Sequence, residues 1–96
     1  MAIFVHAVLS GITTEQYDTL NARLQETPDI FDGCVSHACA VTDDGLEILD
    51  VWESEQKMEA FAERMMPVAT ELGWPETADQ PRVLQVHNHW VPGLGG

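Results

Sequence analysis

The amino-acid sequence predicts an α+β domain with the element order βαββαβ. Four segments are rich in β-branched and other apolar residues, two segments carry apolar residues at helical spacing, and a TDDG turn joins the two middle strands. Two right-handed βαβ crossovers within one sheet place both helices on the same side. We therefore expect a ferredoxin-like sandwich, with a four-stranded antiparallel sheet and two helices on one face.

The first strand is predicted over residues 2–9, AIFVHAVL, whose nearly continuous apolar character is typical of a central strand. A helix is predicted over 14–26, because Thr13 and Gln16 fit the reciprocal cap of a helix start. The apolar residues of this helix are Tyr17, Leu20 and Leu24. The PDIFDG segment, 28–33, ends it.

The second and third strands, CVSHACAV and LEILDVWE, form a hairpin around the TDDG turn. Either two-residue loop, Asp43-Asp44 or Asp44-Gly45, places odd residues of one strand on the same face as even residues of the other. That face holds Val35, His37, Cys39, Val41, Leu46, Ile48, Asp50 and Trp52. The first loop sets His37 opposite Asp50, and the second sets it opposite Trp52.

Ser54 is predicted to cap the second helix, and Gly73 is predicted to close it. The apolar stripe of this helix consists of Met58, Phe61, Ala62, Met65, Ala69 and Leu72. Pro67 should kink the helix or start a new segment after Met66. A loop over 74–81 and a fourth strand, RVLQVHNHWV, follow. The domain is expected to span 1–92, with a flexible tail at 93–96.

Composition narrows the classes of function. The chain has 96 residues and a formal charge of −12, so a phosphate backbone or an anionic membrane would be repelled. No apolar run is long enough for a membrane span, and no signal peptide is recognised, so a cytoplasmic location is expected. Cys34 and Cys39 lie five apart on one strand and are predicted to point to opposite faces.

The sheet face away from the helices predicts self-association. A domain of this size buries a modest share of its surface, and an uncovered apolar sheet is an association surface. We therefore expect a homodimer through that face.

His37 and Asp50 are the first candidates for catalysis. A buried carboxylate needs a partner, and a hydrogen bond from His37 would satisfy Asp50 and leave the other ring nitrogen free to accept a proton. The alternative is a purely structural pair, or an Asp50 that reaches the helix cap or solvent.

The positions of the other histidines suggest a cluster of imidazole groups near Asp50. His6 lies on the first strand, while His87 and His89 lie two apart on the fourth. His37, His87 and His6 could converge with Asp50 on a cavity under the helices, whereas His89 is expected at the surface or the dimer seam. Three imidazoles and a carboxylate could bind zinc or iron, but the HNH pair is the only close spacing in the sequence, so no metal centre is predicted.

Four residues are candidate walls of a ligand pocket: Trp52, Tyr17, Phe61 and Met65. The same spacings are typical of an ordinary core. Such walls would suit a small hydrophobic or flat aromatic, polyketide-like ligand between the sheet and the helices.

Short stretches carry a resemblance to a known family. They are GITTEQYD, DVWES, ERMMPV and VHN. Over residues 2 to 91 the chain resembles the dimeric α+β-barrel superfamily, in particular the small proteins near the antibiotic-biosynthesis monooxygenases.

The resemblance implies a cofactor-independent monooxygenase in which a histidine deprotonates the substrate and Trp52 lines the cavity; no cofactor is expected. Ile48 departs from the family's pattern, which often has asparagine there, and the second helix lacks the haem-binding histidine of the degrading branch. A cofactor-free cyclase or isomerase and a non-catalytic ligand-binding dimer are the alternatives.

Overall fold

The computed structural model describes residues 2–75, 81–90 and 92. The elements are β1 (Ile3–Ser10), α1 (Thr14–Gln25), a 3₁₀ turn (Pro28–Phe31), β2 (Cys34–Thr42), β3 (Gly45–Trp52), α2 (Glu55–Glu71) and β4 (Arg82–Gln85). The strands form one antiparallel sheet in the order β2-β3-β1-β4. The predicted ferredoxin-like βαββαβ fold is confirmed.

Both helices begin at the predicted caps. The Thr13 hydroxyl accepts a hydrogen bond from the Gln16 amide at 3.1 Å, and the Gln16 side chain accepts one from the Thr13 amide at 2.9 Å. The Ser54 hydroxyl accepts from the Lys57 amide at 3.2 Å. These bonds satisfy amides that have no partner inside the helix, which fixes where each helix starts.

Helix α2 runs without interruption through Pro67, so no new segment starts after Met66. Pro67 has no N–H and cannot donate a hydrogen bond within the helix. Packing outweighs this loss, because Met65 and Val68, on either side of Pro67, contact the same core cluster. Gly73, with φ +84°, ends the helix as predicted. Its amide and that of Trp74 bond back to Thr70 and Ala69.

The β2–β3 turn uses the Asp43-Asp44 loop. Thr42 pairs with Gly45, and the Gly45 amide donates to the Thr42 hydroxyl at 3.1 Å. Glycine is required here, since a Cβ at Gly45 would lie 2.2 Å from the Leu9 carbonyl oxygen. The predicted pairing of His37 with Asp50 is thereby confirmed.

A β-bulge at the start of β2 corrects the prediction for the two cysteines. Cys34 pairs with Trp52, whereas Ser36 pairs with Val51, so Val35 is the extra residue and its side chain is half exposed. The extra residue brings Cys34 and Cys39 to the same face of the sheet. The prediction that they lie on opposite faces was wrong, because the extra residue of a bulge interrupts the alternation of side chains between the two faces.

Two apolar clusters form the core between the helices and the sheet. One is built from Leu20, Leu24, Ile30 and Ala69, and the other from Ile3, Val5 and Trp52. Phe61 of α2 packs against both clusters and lies 5.1 Å from the Trp52 ring, centroid to centroid. The helix-facing side of the sheet is therefore the side of Trp52.

The last strand is shorter than predicted. Strand β4 ends at Gln85, and residues 86–89 line a depression of about 610 Å³ on the sheet face away from the helices. His89 comes within 3.5 Å of Ser36, at the opposite edge of the sheet from β4. That face is therefore partly covered by the chain itself. Most of the predicted loop at 74–81 and the tail at 93–96 fall outside the described residues.

No helix in the part of the chain that the structure describes has the length and apolar character needed to cross a membrane.

Candidate functional site

Three polar side chains form a continuous hydrogen-bonded row on the helix-facing side of the β2–β3 hairpin. His37 Nδ1 lies 2.5 Å from Asp50 Oδ1, and His37 Nε2 lies 2.5 Å from the Tyr17 hydroxyl. The Tyr17 and His37 rings are nearly parallel, with an interplanar angle of 8°. The hairpin register supplies two members of the row, and the start of α1 supplies the third.

The row has one consistent assignment of protons when His37 is neutral. Asp50 as a carboxylate can only accept, so His37 Nδ1–H donates to it, and Nε2 then accepts from the Tyr17 hydroxyl. The hydrogen bond to Asp50 raises the pKa of His37 above its usual value of 6.5, although partial burial acts in the opposite direction. His37 is therefore held in the tautomer that leaves Nε2 basic.

Trp52 supplies the second partner of Asp50. Its indole Nε1–H donates to Asp50 Oδ2 at 3.2 Å, so each carboxylate oxygen receives one hydrogen bond. Asp50 is 8% exposed and Trp52 only 1% exposed. This pairing explains how a carboxylate is accommodated on an apolar face of the sheet.

The environment of Tyr17 disfavours its phenolate form. Burial raises the pKa of the Tyr17 hydroxyl above 10.0, and the negative charges of the Cys39 thiolate that forms at high pH, of Asp50 and of Asp18 raise it further. Burial and the charge of Asp18 likewise raise the pKa of the Cys39 thiol. Tyr17 therefore stays a neutral donor toward His37 around neutral pH.

The site opens to solvent along the edge strand β2. His37 has 40% of its side chain exposed, and Val41, on the same face, is 72% exposed. Helix α1 therefore leaves a strip uncovered beside the Tyr17 ring, made of Val41, Cys39 and His37. A flat ligand lying on this strip would meet the Tyr17–His37 pair from the solvent side.

A closed cavity between sheet and helices was expected, but the two depressions described here lie elsewhere. One, of about 580 Å³, lies between the 3₁₀ turn and α2. The other is the depression on the opposite sheet face. Tyr17, His37 and Asp50 line neither of them.

The predicted convergence of His6 and His87 on His37 was wrong. Val5, not His6, pairs with Asp50, so His6 points to the other face, where it bonds Glu47 at 2.6 Å. His87 lies beyond the end of β4 and lines the depression on that same face, as does His89. Among the described residues, no three histidine, cysteine or acidic side chains are grouped as a metal site.

The predicted wall residues separate into core and site. Met65 packs in the first core cluster, and Phe61 joins the two clusters. Trp52 is enclosed, so in this structure it contacts Asp50 rather than an open pocket. Tyr17 alone of the four lies beside the exposed strip, and its hydrogen bond to His37 was not foreseen, because the spacing of α1 does not specify where the helix crosses the sheet.

Comparison with solved structures supports the fold and a likeness to one class of protein. A crystal structure from Chloroflexus aurantiacus J-10-fl, described as a candidate antibiotic biosynthesis monooxygenase, matches with a TM-score of 0.62 and 25% sequence identity. The match covers 94% of this chain and 98% of the other. No protein-family model matches the sequence, and no curated protein matches it.

Proposed function

We propose that the protein is a small-molecule oxygenase that needs no cofactor, in which His37 is the general base. The observation that carries this proposal is the position of His37 between Asp50 and Tyr17, at 2.5 Å from each. The monooxygenase-like fold of the Chloroflexus aurantiacus protein supports the reaction class.

The proton would move along the row. A weakly acidic substrate, such as a phenol or an anthrone, would lie on the Val41–Cys39–His37 strip and approach the Tyr17 hydroxyl. The substrate gives its proton to the Tyr17 oxygen as Tyr17 gives its own to His37 Nε2, or gives it directly to Nε2 if Tyr17 swings aside. Either route ends with an imidazolium whose charge Asp50 stabilises.

The resulting anion would be the reductant for dioxygen. One electron passes from the electron-rich carbon to O₂, and the two radicals join as a peroxide anion at that carbon. The imidazolium returns its proton to the peroxide, and loss of the remaining C–H proton with cleavage of the O–O bond gives the carbonyl group and water. For an anthrone, the balance is one CH₂ group and one O₂ giving one C=O group and one H₂O. The protein's part is to accept the proton and to position the anion on the Val41–Cys39–His37 strip.

The second part of the proposal is a homodimer through the sheet face away from the helices. Leu84 of β4 is 46% exposed, and Trp90 beyond it is 68% exposed. Large apolar side chains in such positions favour association. Because residues 86–89 already lie across part of this face, a partner would pack against or displace that segment.

Oxygen uptake with an anthrone as probe tests the proposed reaction. We expect dioxygen consumption and quinone formation in the wild type, without added flavin or metal, and a loss of about 100-fold or more in kcat/KM for His37→Gln. His87→Gln is the matched control, since His87 is an exposed imidazole on the other face.

The outcomes separate the three classes of function. Isomerisation or ring closure of a polyketide-like probe in the absence of oxygen would favour proton transfer alone. Tight binding of the probe without turnover would favour a binding protein. Full activity in His37→Gln would remove His37 as the base.

A further inference from the structure

We propose that Trp52 is a positioning residue that acts on His37 through Asp50. Its indole N–H holds the buried carboxylate in the orientation in which the other oxygen meets the imidazole. The inference builds on the proposed function, but its test requires no turnover, so the two can fail separately.

The hydrogen bond between Trp52 and Asp50 depends first on the positions of the two residues on β3. Trp52 and Asp50 are two apart on β3, so both side chains leave the same face of the strand. The indole Nε1 lies 3.2 Å from Asp50 Oδ2, and Asp50 Oδ1 lies 2.5 Å from His37 Nδ1. Donors from two sides define the plane of the carboxylate.

The surroundings hold the indole in place. Phe61 packs on it at 5.1 Å, and Ile3 and Val5 of β1 belong to the same cluster. The β-bulge brings Cys34 opposite Trp52, where its side chain packs against that cluster. A ring with 1% exposure in such a setting has little freedom to turn.

The exposure of Trp52 also distinguishes this role from that of a pocket wall. A side chain that is almost wholly enclosed has no surface to offer a ligand, whereas its one polar atom is committed to Asp50. Loss of the N–H alone would leave Oδ2 buried without its donor, and the carboxylate would gain freedom to turn away from His37.

Other titratable groups surround the pair and must be separated from the effect of Trp52. They are Tyr17 and Asp18 on α1 and Cys34 and Cys39 on β2. The hydrogen bond that His37 donates to Asp50 has the largest influence on the pKa of His37, ahead of the desolvation of the imidazole. A change in that bond is therefore the signal to measure.

The first test uses the wild-type protein and NMR. The chain has three tryptophans, so three indole N–H resonances are expected, and the one missing in Trp52→Phe is assigned to Trp52. We expect this resonance to shift with pH at the same midpoint as the ring protons of His37. An indole signal that stays constant while His37 titrates would overturn the proposal.

The second test follows the pKa and the tautomer of His37 in variants. Trp52→Phe keeps an aromatic ring but removes the donor, and should lower the pKa of His37 toward 6.5. Trp74→Phe, in the other core cluster, is the matched control and should leave it unchanged. Asp50→Asn should lower it as well, and adding Trp52→Phe to Asp50→Asn should have no further effect.

A folded Trp52→Phe variant with wild-type pKa and tautomer at His37 would contradict the proposal. If that variant does not fold, Trp74→Phe and Trp90→Phe assign the other two indole resonances, and the titration of the third in the wild type decides alone. Oxygen uptake adds an independent reading, since a positioning residue should lower kcat with little change in KM.

Discussion

His37 and Asp50 face each other across the β2–β3 hairpin, and their side chains meet at 2.5 Å on the face that the helices cover. The hairpin turn sets this pairing, and Trp52 and Tyr17 complete the hydrogen bonds at either end. The four residues form one connected unit, so a change at any of them should register at His37.

The raised pKa of His37 should make the pair a source of stability at low pH. The folded pKa lies above the unfolded value of 6.5, so the contribution is fully present below about pH 6.5 and is lost as pH rises through the folded pKa. His37→Gln should therefore cost more at about pH 5.5 than at about pH 8.5, by about 1 kcal/mol or less because the imidazole is partly exposed. Urea denaturation at the two pH values measures the difference, and an equal cost at both would contradict the linkage.

Tyr17 offers a second titration, because it is the single tyrosine of the chain. Burial and the nearby negative charges should place its ionisation above 10.0. The tyrosinate absorbance of the folded protein measures it directly, with circular dichroism as a check on folding. A midpoint at or below 10.0 in the native state would show that the hydroxyl is not held in the described environment.

Removal of the Tyr17 hydroxyl should affect turnover more than folding. Tyr17→Phe keeps the ring beside His37 but removes the group that donates to Nε2. If protons pass through Tyr17, kcat/KM for the anthrone should fall by about 100-fold. Activity equal to that of the wild type would instead mean that the substrate reaches His37 directly.

The hairpin turn can be tested through its glycine. A Cβ at Gly45 would lie 2.2 Å from the backbone oxygen of Leu9, whereas one at Gly73 would meet nothing within 4 Å. Gly45→Ala should therefore destabilise the protein by about 3 kcal/mol, and Gly73→Ala by only about 1 kcal/mol for its left-handed backbone. Thermal or urea unfolding compares them, and similar losses would argue against the close approach of β1 to the turn.

The sequence predicts the fold and one of the contacts of the candidate site, the pairing of His37 with Asp50. The physical reasons differ between residues. A two-residue turn fixes hairpin register, so the pairing of His37 with Asp50 could be foreseen. The register of β1 against β3 is set by a long crossover through α1. The face of the sheet on which His6 lies therefore could not be predicted from the sequence. The bulge at Val35 leaves no signal in the alternation of β2.

Contacts that depend on packing also could not be predicted from the sequence. That Trp52 and Asp50 share a face follows from their spacing, but the turn of the indole toward the carboxylate depends on Phe61 and Cys34. The Tyr17–His37 contact depends on where α1 crosses β2. Strand β4 ends at Gln85, so His87 and His89 lie beyond it. Their predicted positions assumed the alternation of a longer strand.

The protonation of His37 tests the central claim most directly. In ¹⁵N-labelled protein above the pKa of His37, long-range nitrogen–proton correlations identify which ring nitrogen carries the hydrogen. We predict the Nδ1–H tautomer, with a basic Nε2 facing Tyr17. Finding the proton on Nε2 would contradict both the hydrogen bond to Asp50 and the role of His37 as a base.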